Sequence, residues 1–283
     1  MTSLKPHILT LNKHKWLYLK SFKNKELPTL IGMNGFGLSA ELLLNSTAVN
    51  GLNQNYNLLF IELPYLNKNF SKHPIKHPFT AKELSELIFK ILEKEEITDF
   101  DFISYSHGSK LLINALAANQ NILPRQFFLL APDGFKDRAL VNILCHLWII
   151  QLLFYSFIYI HFYVNWTVSL LKLFGVLGKN SKKFVLDQIN NQKQRRIIYQ
   201  TYVGGRKLRH QFSDIQQKID CYIIRGHRDN IIRIKELKKG IKKAKNQVEI
   251  LEINAGHNIY RKNAFKEICD IIKQKNPRSN DLG

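Results

Sequence analysis

The chain has 283 residues, 45% of them hydrophobic, which suits one large α/β domain or a core domain carrying an insertion. Its three cysteines, Cys145, Cys221 and Cys269, are too widely separated for a metal-ligand pattern, and their odd number implies reduced thiols and a cytoplasmic setting. The formal charge of +20 comes from Lys and Arg scattered along the chain without a zinc-finger, RRM or basic-zipper pattern, so no nucleic-acid partner is expected. A solvated basic face is the plain account, with attraction to anionic lipid the lesser alternative.

Taken in chain order, "MTSLKPHILTLNKHKW" lacks an apolar run long enough for a signal peptide, which argues against secretion. "KWLYLKSF" (15–22) alternates and reads as an antiparallel edge strand. "LPTLIGMNGFG" (27–37) reads as an apolar strand ending in a glycine-rich turn, and "YNLLFIELP" (56–64) as a buried parallel strand. Thr80 followed by Glu83 has the form of a capping box opening the helix "AKELSELIFKILEKE". "FDFISYS" (100–106) is a strand running into a helix at about 107–119, and "RQFFLLAP" (125–132) is a further strand. Later come "IDCYIIRG" (219–226), a helix near 233–244, "VEILEIN" (248–254) and a last helix near 263–274. This alternation predicts an α/β fold, a mostly parallel sheet flanked by helices.

One region breaks the rhythm. Between Ala139 and Leu171 there is no Asp, Glu, Lys or Arg. The stretch is long enough to span a bilayer, but Asn142, His146, Gln151, His161 and Asn165 interrupt it. A span there would also put parts of one sheet on opposite sides of a membrane. A helical cap inserted between sheet strands is the favoured reading, with a shallow dip into a bilayer surface as an alternative.

Serine needs a base, exposure and an oxyanion site to act as a nucleophile. A sharp strand-to-helix turn supplies exposure and helix-terminal amides, and it demands small residues two before and two after the serine. In "S-Y-S-H-G" those are Ser104 and Gly108, which singles out Ser106; Ser109 is followed two residues on by Leu111.

With that motif in that place, the chain resembles the α/β-hydrolase family, which orders its residues Ser…Asp/Glu…His along the chain. The resemblance covers about 15–135 and 211–275. It implies a core domain of 1–135 and 211–283 with a helical cap insertion at 136–210. "IIRGHRDNII" (223–232) matches the segment that delivers the acid, making it Asp229, and "EINAGHN" (252–258) the one that delivers the base, making it His257. "MNGFG" (33–37) resembles the oxyanion loop, which points to the backbone N–H of Phe36, with the N–H of His107 as the second donor. Asp133, at the end of the strand after the nucleophile, is the alternative acid; otherwise it belongs to an Asp-Gly turn.

The sequence departs from the family pattern at Ser104, in place of the first glycine, and at Asn34, in place of the usual loop histidine. His227 and the side chain of His107 are read as incidental. The aromatics Trp148, Phe154, Tyr155, Phe162 and Trp166 belong to the cap, either as core or as a substrate pocket. No His, Cys or carboxylate cluster suggests a metal, and no cofactor is expected. What the resemblance implies is a serine hydrolase acting through an acyl-enzyme on a small apolar ester or related acyl substrate. The alternative is a catalytically inactive relative that binds a hydrophobic ligand, or a membrane surface as a peripheral contact, through its cap.

Overall fold

The computed structural model describes residues 6–11, 14–35, 38–64, 78–135, 192–260 and 262–276, together with Leu152 and Ser156. Its strands are β1 (His7–Leu11), β2 (His14–Ser21), β3 (Thr29–Met33), β4 (Asn57–Glu62), β5 (Phe100–Tyr105), β6 (Gln126–Leu130), β7 (Asp220–Gly226) and β8 (Val248–Ile253). They form one sheet in the order β1-β2-β4-β3-β5-β6-β7-β8. Strand β2 runs antiparallel to both β1 and β4, and the remaining pairs are parallel. Strands β3, β4, β5 and β6 are buried at every position, as central strands covered on both faces must be, and their sequences are correspondingly near-continuous apolar runs.

The run at 15–22 is a strand, but not the edge. His7–Leu11 pairs outside it, with His7 opposite Tyr18 and Leu11 opposite His14. An alternating pattern reports which side chains face solvent; it carries no information on whether the strand's free backbone edge is covered. "HILTL" is also too short for its own periodicity to stand out.

Six helices are described: α1 (Ala40–Val49), α2 (Ala81–Lys94), α3 (His107–Ala118), α4 (Gln192–Gly205), α5 (Ile234–Ile241) and α6 (Lys262–Lys275). In α2 the capping box is formed: Thr80 Oγ1 accepts from Glu83 N at 3.1 Å and Glu83 Oε2 accepts from Thr80 N at 2.8 Å. Helix α2 packs on α3, whose Leu111, Leu112, Ile113 and Leu116 are fully buried. Burying each such side chain contributes about 1.5–3 kcal/mol. Helix α6 meets the end of α1, where Lys273 Nζ donates to the Asn50 carbonyl at 2.7 Å.

By its packing the chain falls into two compact units, one of 1–72, 79–137 and 207–283, the other of 73–78 and 138–206. The charge-free stretch 139–171, apart from Leu152 and Ser156, lies outside the described residues, and Trp148, Phe154, Tyr155, Phe162 and Trp166 lie there with it. Among the described residues no helix is long and apolar enough to cross a membrane.

Candidate active site

Strand β5 ends at Tyr105 and α3 begins at His107, so Ser106 alone makes the turn, with φ 48° and ψ −115°. A serine in this region is strained by roughly 1–3 kcal/mol, which the surroundings must offset. The Ser106 N–H donates to the Leu130 carbonyl of β6 at 2.9 Å, and its carbonyl accepts from Ser109 N at 3.0 Å and Asp133 N at 3.1 Å. A Cβ on Gly108 would stand 2.2 Å from the Met33 carbonyl oxygen and 2.7 Å from that of Asn34, so only glycine lets α3 start against the end of β3. Ser104, two residues before the turn, is more than a small residue: its hydroxyl donates to Ser109 Oγ at 2.9 Å, and both side chains are buried.

Asp229 lies on the loop after β7 with its side chain fully buried. Its Oδ1 accepts from Ile231 N at 2.8 Å and Ile232 N at 3.0 Å, and its Oδ2 stands 2.8 Å from His257 Nδ1. Burial by itself would raise this carboxyl, but the hydrogen bond to His257 and those from the Ile232 and Ile231 amides outweigh it and hold the group below the ordinary carboxylate range. An ionised carboxylate only accepts, so Nδ1 carries the proton in the neutral ring and Nε2 is left with its lone pair. That Nε2 lies 3.3 Å from Ser106 Oγ. Ser106, His257 and Asp229 therefore form a continuous hydrogen-bonded line, assembled from the ends of β5, β7 and β8.

Two features hold the Asp229 and His257 loops together. A Cβ on Gly226 would fall 2.3 Å from the carbonyl oxygens of both Ala255 and Gly256, so the glycine of "RGHRDN" permits the His257 loop to lie on the end of β7. Arg225, buried and paired with Glu252, donates from one terminal nitrogen to the Asp229 carbonyl at 3.2 Å.

Asp133 accepts from the Gly134 amide through Oδ1 at 2.9 Å, with Gly134 at φ 110°. That is the chemistry of an Asp-Gly turn, and among the described residues the carboxylate on His257 Nδ1 is that of Asp229. His227 is exposed, its amide donating to the Ile253 carbonyl at 3.0 Å. The His107 amide is the first of α3, so no carbonyl within the helix lies four residues back to receive it. Burial, and then Lys110, push the His107 imidazole down to about 4 against the pull of Asp133, so the ring is neutral. Phe36 lies outside the described residues.

Sequence reasoning did not find the aromatic support of His257. Tyr105 donates through its hydroxyl to the His257 carbonyl at 3.1 Å, and its ring sits 5.6 Å from the imidazole. Tyr260 packs edge-on against Tyr105 at 5.2 Å, and its hydroxyl donates to Asn34 Oδ1. Arg225 was likewise missed. Tyr105 stands next to Ser106, Arg225 four residues before Asp229 and Tyr260 three after His257, and this nearness in sequence is the only signal that could have drawn attention to them. Among the described residues no His, Cys, Asp and Glu cluster could hold a metal ion.

No family model and no curated protein sequence matches the chain. Solved structures do. An alpha/beta hydrolase enzyme from a deep-sea metagenome library is 14% identical with a TM-score of 0.64, over 93% of this chain and 95% of that one. A thermophilic esterase from Thermogutta terrifontis is 11% identical with a TM-score of 0.65, over 95% of this chain and 97% of that one. A thioesterase domain from the curacin biosynthetic pathway is 12% identical with a TM-score of 0.60, over 96% of this chain and 99% of that one. With its eight-stranded order and its strand–Ser106–helix turn, the chain thus has the fold of the α/β-hydrolase family.

Proposed function

We propose that the chain is a serine hydrolase that cleaves a carboxylic ester, or a related acyl bond, of apolar character. The observation that carries this reading is the line Ser106–His257–Asp229, 3.3 Å and 2.8 Å long, with the serine held at a strained turn at the start of α3. Esterase and thioesterase neighbours in the structural comparison support the choice of bond. The charge-free stretch 139–171 supports an apolar acyl group.

His257 Nε2 takes the proton of Ser106 as Oγ adds to the substrate carbonyl carbon, and the carbonyl π electrons move onto oxygen. The His107 amide donates to that oxyanion, and the N–H of Phe36 is proposed as the second donor. Asp229 holds the tautomer and stabilises the imidazolium. The intermediate collapses, the ester bond breaks, and His257 gives the proton to the leaving alkoxide. Water then adds to the acyl-enzyme with His257 again as base, releasing the acid and restoring the Ser106 hydroxyl. Removing one oxyanion donor raises the barrier by about 3 kcal/mol.

The test is covalent labelling by a fluorophosphonate. Labelling of the folded chain at one site, abolished in Ser106→Ala, is the expected outcome. A folded chain that takes up no label contradicts the reading and favours a ligand-binding relative.

A further inference from the structure

We propose that Asn34 and Tyr260 form a brace that positions the 34–39 loop and the His257 loop against each other, an inference that rests on the hydrolase reading of the site. The geometry admits one arrangement of the Asn34 carboxamide. The Ser39 carbonyl can only accept, so Asn34 Nδ2 must face it and donate; Oδ1 is then left to accept from the Tyr260 hydroxyl. Asn34 is 1% exposed, so neither bond has water as a ready substitute.

Each end of the brace is itself held. Ser39 caps α1, its Oγ accepting from Leu42 N at 3.2 Å, and Asn34 therefore ties the first residue of the loop to its last. Tyr260 stacks on Phe265 at 5.0 Å, meets the Tyr105 ring at 5.2 Å, and donates its own amide to Asn258 Oδ1 at 3.1 Å. Tyr105 in turn holds the His257 carbonyl. A continuous path of contacts thus runs from the α1 cap to the backbone of the base, across a sequence separation of 226 residues between Asn34 and Tyr260. A phenylalanine at 260 would stack on Phe265 and Tyr105 equally well. Among the described residues the hydroxyl's partner is Asn34, so the loop-to-loop bond is the one thing the hydroxyl adds.

The experiment uses the full chain with Tyr260→Phe, Asn34→Asp and the double variant. Readouts are hydrolysis of p-nitrophenyl butyrate, the fluorophosphonate labelling rate and hydrogen exchange. Each single change is expected to lower kcat about tenfold, the scale of one buried hydrogen bond, with KM within about twofold. The double variant is expected to fall no further than the worse single one, because the two residues act as a unit. Exchange is expected to quicken reciprocally, over 34–40 in Tyr260→Phe and over 256–260 in Asn34→Asp. An unchanged kcat in folded Tyr260→Phe, or additive losses in the double variant, overturns the brace. If the unaltered chain is not labelled at all, the hydrolase reading fails, and exchange alone decides the brace. Reciprocal loosening then supports it, and unchanged exchange in either loop overturns it.

Discussion

Glu62 ends β4 with Oε2 on the Ala40 amide at 2.5 Å, while its buried Oε1 has no hydrogen bond among the described residues. Burial pushes its carboxyl up to about 7; the Ala40 hydrogen bond pulls the other way without prevailing, and Glu41 adds to the rise. Asp229 is also buried, yet its His257 bond and two amide bonds hold it low. What separates the two carboxylates is the number of donors that reach them. Because the folded state prefers protonated Glu62, its contribution to stability is full below the unfolded value near 4.5 and is lost as pH rises through about 7. The whole contribution is about 3 kcal/mol. Chemical denaturation at pH 5 and pH 8 should show Glu62→Gln losing this part of the pH dependence; an identical pH slope in both proteins would contradict the assignment. Neither carboxylate's state is legible in "FIELP" or "RGHRDN", because desolvation and donors come from other strands and loops.

At the scale of elements, legibility follows how local the cause is. All parts of the α2 cap lie within Thr80–Glu83, so the sequence pattern and the structure agree. Thr80→Ala should cost about 1 kcal/mol in denaturant unfolding, leaving the rate of labelling at Ser106 unchanged. A slowed labelling rate in the folded variant would show that α2 bears on the site, through the α3 against which it packs. Helix α1 was passed over although Ala40, Leu43, Leu44 and Thr47 form a buried stripe at helical spacing. Its "NST" segment (45–47) obscures that stripe with residues of weak helix propensity. Strand β1 escaped notice for a different reason. What makes it a strand is its pairing with β2, and a pairing leaves no mark in five residues.

Over the whole molecule, 42 Lys and Arg stand against 22 Asp and Glu, and the excess repels itself. Raising ionic strength from about 0.01 M to about 0.15 M shortens the screening length from about 30 Å to about 8 Å. Tm should rise by about 2 °C, the size of a 1 kcal/mol gain for a chain of this length. A Tm that falls with added salt would mean that attractive pairs such as Arg125 with Asp101 dominate instead. The sequence by itself determined the strand-helix alternation and the small residues the Ser106 turn needs, which are written in short-range periodicity and in steric demands within a few residues. Asp229 and His257 were singled out by the resemblance of their segments to the α/β-hydrolase family, not by local pattern. The tertiary structure alone decided that β2 is covered by β1, that His257 meets Asp229 and leaves Asp133 to its turn, and that Tyr260 reaches Asn34. Each of those is a contact between strand ends or loops far apart in the chain. Such contacts are set by how the sheet stacks its strands, which no local window of sequence records.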